Sequence, residues 1–322
     1  LIQDGTWEQR WRQWEKIDTE AAIRRFDRCT RLDHGKRAYK RWVAAVAVAA
    51  LLLLAVGFSL RQLMNRTEVA PVLVENILPG SDKAILILAN GEKMKLENSD
   101  SLQVDLGAGN ELQYNELQIP RGGEYQVKLA DGTIVRLNSG SSLRYPVAFG
   151  KEKREVVLKG EAYFQVAKGK APFYVQIGGL TVRVYGTVFN INSHYCDRIQ
   201  TALVEGKVSI LLGGKEFMMN PSQLADFDVS SGTLDIRDAD LTPCLAWTKG
   251  LFIFNNQTLG QIMSTLSLWY DMEVFFQNPV LEQLHFTGCV RRYEAIDNIL
   301  KALSESVGVK INKQGKTLTV SY

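Results

Sequence analysis

Residues 42–60 (WVAAVAVAALLLLAVGFSL) form 19 positions without a charge, interrupted only by Gly57 and Ser59. At ~1.5 Å per residue, a helix of that length approaches the ~30 Å hydrocarbon thickness of a bilayer. Some forty residues precede it, so it reads as a span rather than a cleaved signal peptide. The flanks set its direction. Residues 22–41 carry eight Lys/Arg, and residues 61–80 carry only Arg61 and Arg66. The positive-inside rule then places 1–41 in the cytoplasm and the large C-terminal part across the membrane. The first residue is Leu rather than Met, so a native start further upstream is expected.

The short N-terminal segment has one notable pattern. Trp7, Trp11, Trp14 and Ile17 fall at i, i+4, i+7 and i+10, one face of a helix. Forty residues bury little surface alone, so this stripe either packs between the segment's own helices or docks on a cytoplasmic partner. Residues 1–41 hold 11 Lys/Arg against 7 Asp/Glu, and the net charge of the whole chain is only +3. The basic residues before the span are accounted for by topology and anionic lipid, and no direct contact with nucleic acid is expected.

After residue 77, alternation replaces the helical period. ILILANGEKMKL (85–96) aligns with QVKLADGTIVRL (126–137), matching Leu88 to Leu129, Gly91 to Gly132 and Leu96 to Leu137. Asp131-Gly132 between alternating runs is a hairpin signal. Further alternating runs at 155–166, 172–177, 180–191, 200–212 and 223–236 are separated by glycines, which predicts a β-sandwich or roll. From 251 the period changes again. The expected order is strand, helix from the Thr258 cap, two strands, a helix over 293–307 and two closing strands, a small α+β domain. The predicted layout is therefore 1–41 cytoplasmic helical segment, 42–60 transmembrane helix, 61–76 linker, 77–250 all-β domain and 251–322 α+β domain.

No chemistry stands out. His34, His194 and His285 are far apart, and no spacing suggests zinc, calcium or another cofactor. Cys196, Cys244 and Cys289 would lie in an oxidising compartment as an odd set, best read as buried small hydrophobes. A hydrolase would want paired carboxylates, for which Glu161 and Glu205 are the candidates.

PRGGEYQVKLADGTIVRLNSGSSLRYP (120–146), VVLKGEAYFQVAKGKAPFYV (156–175) and VRVYGTVFNINSH (182–194) closely resemble the FecR-like membrane regulators of extracytoplasmic-function sigma factors, most of all their Bacteroidota branch. AWTKGLFIFNNQTLGQIMSTLSLWYDMEVFF (246–276) and FTGCVRRYEAIDNILKAL (286–303) look like the C-terminal domain of that branch, related to the secretin and TonB short N-terminal fold. The resemblance implies a relay in the bacterial inner membrane, not an enzyme. The cytoplasmic stripe Trp7, Trp11, Trp14 and Ile17 would hold a sigma factor, and the periplasmic part would take a signal from the signalling domain of an outer-membrane TonB-dependent transporter. Gly122, Gly123, Asp131, Gly132, Thr133, Leu137, Asn138, Gly160, Glu161, Phe164, Gly186, Thr187 and Phe189 then read as turn and packing determinants. Some FecR-like regulators resemble self-cleaving proteins, in which a Thr hydroxyl attacks the preceding Gly carbonyl. Gly186-Thr187 is the pair on offer, with a plain strand bend as the alternative. The competing class is a membrane-anchored periplasmic carbohydrate-binding or hydrolytic protein.

Overall fold

The computed structural model describes residues 76–97, 113–194 and 197–322, together with 20, 21, 23–25, 56, 57 and 61. It divides into two compact units, Leu1–Val72 and Leu73–Tyr322. In the first, 20, 21 and 23–25 are helical and Arg24 ion-pairs with Glu20 at 3.1 Å. Trp7, Trp11, Trp14 and Ile17 lie outside the described residues, as does the 42–60 span apart from Val56 and Gly57. Among the described residues no helix is long and apolar enough to cross a membrane.

The second unit begins with a run of hairpins. The strands are β1 (Ser81–Ile87), β2 (Lys93–Glu97), β3 (Tyr114–Gln118), β4 (Gly123–Lys128), β5 (Ile134–Leu137), β6 (Ser142–Pro146), β7 (Arg154–Lys159) and β8 (Glu161–Gln165). There follow β9 (Phe173–Ile177), β10 (Leu180–Val184), β11 (Val188–Asn192), β12 (Arg198–Glu205), β13 (Val208–Leu212), β14 (Lys215–Met219), β15 (Gln223–Asp228) and β16 (Thr233–Asp238). The repeated cassette forms the same turn twice. Gly91 and Gly132 sit at φ 86° and 87°, and in each copy the glycine amide donates to the carbonyl of the matched leucine, Leu88 or Leu129. Only glycine holds that backbone without strain.

These strands join into one sheet that folds over itself. One arm runs β14-β13-β10-β9-β7-β6-β3-β1 and the other β4-β5-β8-β11-β12-β15-β16, joined where Ser81 and Asp82 pair in parallel with Gly123 and Glu124. A single core lies between the arms. Phe164 of β8 stacks on Phe189 of the same arm at 4.9 Å and meets Phe173 of the other arm edge-on at 6.3 Å. The expected runs 155–166, 180–191 and 200–212 each break in two at Gly160, Gly186 and Gly206. Strands β3, β6 and β14 are additions to the sequence reading. β14 (KEFMM) is an edge strand with four of five residues at least partly exposed, so it carries little alternation.

The C-terminal part follows the expected order: β17 (Leu251–Thr258), α2 (Leu259–Tyr270), β18 (Glu273–Phe276), β19 (His285–Arg291), α3 (Ile296–Val307), β20 (Lys310–Gln314) and β21 (Thr317–Ser321). A single-turn helix, α1 (Thr242–Leu245), and a 3₁₀ turn over Ala246–Lys249 precede it. β17 pairs with β19, and β18-β21-β20 form a second small sheet. Thr258 caps α2 as expected, accepting from the Gln261 amide at 3.3 Å while Gln261 Oε1 accepts from the Thr258 amide at 3.2 Å. Leu259, Ile262, Met263, Leu266 and Trp269 are all buried. α3 starts at Ile296 rather than 293, because residues 292–294 serve the junction described next. Two readings of the cysteines change: Cys289 is exposed and Cys244 half-buried, both free, while Cys196 lies outside the described residues.

Candidate functional site

The candidate site lies where the β-rich body meets the C-terminal part, inside the second compact unit. Its centre is Arg292, in the loop after β19, with no exposed surface. Transferring a guanidinium from water without partners is costly, so such a group needs an anion, donors' acceptors or aromatic faces around it. It has all three. The cation lies 3.7 Å from the Trp269 ring centre, with Phe252 and Trp247 at 5.4 and 5.6 Å. Nη2 donates to Asn138 Oδ1 and is 3.5 Å from Glu124 Oε2.

The body supplies the complementary half. Glu124 is the second residue of β4, and its Oε1 accepts from Arg136 Nη2 of β5 at 2.9 Å and from the Tyr293 hydroxyl at 2.5 Å. Arg136 also donates to the Thr248 carbonyl at 2.8 Å. From Asn138 a second path leads on: Nδ2 donates to Glu161 at 2.6 Å, Glu161 accepts from Asn190 at 3.0 Å, and Asn190 accepts from Trp247 Nε1 at 3.2 Å. Trp247 faces Arg292, which closes a ring of contacts through β5, β8, β11, the 3₁₀ turn and the β19–α3 loop. Burial pushes the Arg292 pKa down, opposed by Glu124 and Glu161. Burial and the bond to Glu124 push the Tyr293 hydroxyl up to about 12, so it stays a donor.

The loop before β4 makes a second clasp. Arg121 donates to the carbonyls of Ser267 (3.0 Å) and Met272 and pairs with Asp271 at 3.5 Å, while the Gly122 amide donates to the Leu268 carbonyl at 2.7 Å. Ser267 and Leu268 lie in the last turn of α2 and Met272 just beyond it, an end that favours a cation. The Ser267 carbonyl also accepts from the Asp271 and Met272 amides. Gly80 backs onto Trp269 so closely that a Cβ there would sit 2.6 Å from the ring. The PRGG motif thus clasps the C-terminal end of a helix almost 150 residues downstream, whose own cap is Asp271.

Beside the ring is a cavity of about 110 Å³, walled in part by Glu161, Asn190, His194, Cys244, Trp247 and Arg292. At ~30 Å³ per water it has the volume of a few waters, well below the ~300 Å³ where ligand pockets begin. Burial pushes His194 below its ordinary 6.5 and Cys244 up to about 11, so a neutral imidazole and a thiol line it. With the folded pKa of His194 depressed, the unfolded chain takes up the proton first as pH falls. Stability is complete above about 6.5 and drops below it until the folded imidazole also protonates. Urea midpoints between pH 7.5 and 5 should therefore fall more steeply for wild type than for His194→Gln. Parallel curves would remove His194 from the acid response.

The other sequence candidates are placed as follows. Glu161 pairs with Asn192 and Glu205 aligns with Val188, so they lie four residues apart along β11, roughly 13 Å at ~3.3 Å per residue. Paired glycosidase carboxylates need about 5–9.5 Å, and Glu161 is already committed to Asn138 and Asn190. Gly186-Thr187 forms the bend between β10 and β11. A Cβ at Gly186 would come 2.6 Å from Lys168, and the buried Thr187 hydroxyl donates to the Lys207 carbonyl at 3.0 Å. His194 lies at the opposite end of β11. Asp131 accepts from the Thr133 amide and hydroxyl and pairs with Arg154 at 2.8 Å, a turn-and-packing role as expected. Among the described residues no group of His, Cys, Asp and Glu could hold a metal ion. Sequence reasoning missed Glu124, Arg136, Trp247 and Arg292. The aromatic density of 247, 269, 270 and 293 around the Arg291-Arg292 pair was the available signal.

A FecR protein model matches residues 115–209, and a FecR C-terminal model matches 251–320. Two crystal structures of proposed anti-sigma factors from Parabacteroides distasonis ATCC 8503, at 2.50 and 1.65 Å, are similar in fold. The first has a TM-score of 0.60 at 25% identity over 65% of this chain and 98% of its own; the second has 0.59 at 25%, over 64% and 97%. The chain matches no protein of curated function. The two family models fall on the two halves of the Arg292 junction and together cover just over half of the sequence, and the chain belongs to the FecR family of regulators.

Proposed function

We propose that the chain is a single-pass anti-sigma regulator of the bacterial inner membrane. Residues 1–41 are cytoplasmic and bind an extracytoplasmic-function sigma factor through Trp7, Trp11, Trp14 and Ile17. Residues 42–60 span the membrane, and the second compact unit is periplasmic, receiving its signal from an outer-membrane TonB-dependent transporter. The observation that carries this reading is the order of the parts: basic flank, apolar span, FecR match, FecR C-terminal match. The likeness to the proposed anti-sigma factors supports it. The reaction is binding alone, and what the periplasmic unit supplies is a rigid body through which a contact on the C-terminal part is felt in the β-rich part.

Purification of the full chain from detergent should bring down a sigma factor. Each Trp→Ala change should weaken that complex by about 2 kcal/mol, roughly thirtyfold in affinity, without releasing the protein from the membrane. Unchanged sigma retention in the Trp7→Ala/Trp11→Ala/Trp14→Ala triple variant would return the stripe to internal packing.

A further inference from the structure

Sheet edges with unpaired backbone groups invite another strand, and folded proteins guard them with charge, proline or cover. Most edges of this unit are guarded. β2 carries Lys93 and Lys95, β14 carries Lys215 and Glu216, β16 carries Asp235, Arg237 and Asp238, and β20 carries Lys310 and Lys313. β18 is different. It pairs only with β21, so its other edge is open among the described residues, and its sequence is Glu-Val-Phe-Phe. Phe275 is 56% exposed, and Val280, in the 3₁₀ turn that follows, is 59% exposed. β19 also lacks charge in its middle, but it exposes no large apolar side chain.

Beside β18 runs a groove of about 490 Å³, lined by Met263 and Ser267 of α2, by Val274 and Phe276, and by Arg121 and Glu282. Arg121 pairs with Asp271 and donates to the end of α2. Glu282 and Glu273 have no ion-pair partner among the described residues. Glu273 and Glu282, which both line the groove, therefore leave its unpaired charge negative.

We propose that the open edge of β18, with the groove beside it, docks an extended strand of a partner protein in which apolar and cationic side chains alternate. The strand would pair its backbone with β18, place one set of side chains between α2 and Phe276, and lay the other across Phe275. A lysine or arginine of that strand meets Glu273 or Glu282, the unpaired carboxylates of the groove. This rests on the reading that the unit receives its signal from a transporter, and it adds the edge and the chemistry of the contacting strand.

The test is a photoreactive p-benzoylphenylalanine at position 275 or, as control, at the exposed β20 position 312, in the full chain expressed in its native host under inducing conditions. Illumination should join position 275 to a TonB-dependent transporter, identified by mass spectrometry, in about tenfold higher yield than position 312. Glu273→Lys with Glu282→Lys should cut the 275 product by about tenfold, because like charges face each other across the edge. A transporter product at 312 and none at 275 would overturn the edge while leaving the transporter reading intact. No transporter product at either position would overturn both. An unchanged yield in the charge-reversed variant would overturn the cationic strand.

Discussion

Arg292→Ala should lower the stability of the second compact unit by about 3–5 kcal/mol, the usual cost of removing one partner of a buried ion pair. The variant leaves Asn138 Oδ1 without its guanidinium and opens a void against Trp269. For a unit of this size that corresponds to roughly 6–20 °C in melting temperature, read by calorimetry on residues 73–322. Glu124→Gln should also destabilise, since Arg136 and Arg292 then share no carboxylate in the pocket. The double variant should cost less than the two singles added, by about 0.5–3 kcal/mol, because the residues act on each other. A cost below 1 kcal/mol for Arg292→Ala would mean that water reaches the guanidinium and that the junction is not held by it.

Phe164→Ala should be as damaging for a different reason. Its ring touches Phe189 within its own arm and Phe173 across the core, and it has no exposed surface. Removing it loses transfer free energy and leaves a cavity between two stiff β layers that collapse poorly, about 3–5 kcal/mol. Phe275→Ala is the matched control. That ring is more than half exposed, and its removal should change stability by no more than about 0.5 kcal/mol. If the two variants unfold at the same urea concentration, the core assignment of Phe164 is wrong.

Much of the fold was legible because local periodicity and burial agree. The Asp-Gly hairpin, the 41-residue offset of its twin and the Thr258 cap all depend on residues within a few positions of one another. Where periodicity failed, the residues are mostly exposed, as in β14, where only Phe217 and Met219 turn inward, or committed elsewhere, as at 292–294, which alternation cannot report. The junction was illegible for another reason. Glu124, Asn138, Asn190 and Arg292 each look like ordinary surface polar residues in or beside strands, and only the fold shows that they share one buried ring. Asn138 and Glu161, expected as turn and packing determinants, also link the body to Arg292. The aromatic stripe of the N-terminal segment lies outside the described residues and is left to the binding experiment.

The clasp on α2 has a consequence for how the chain reaches its folded form. The end of that helix is bound by Arg121 and Gly122, and Glu124, paired nearby with Arg136, meets its second cation only at residue 292. Neither half is self-sufficient. During synthesis the β-rich part holds Glu124 with Arg136 alone until residue 292 is available, and contacts this distant in sequence close slowly. A chain cut between 239 and 291 would keep its hairpins but expose Glu124, the PRGG loop and the face around Trp247. Removal of 251–322 is therefore not a clean excision of a receiver, and a protease that recognises frayed surfaces would find such a remnant before the intact regulator.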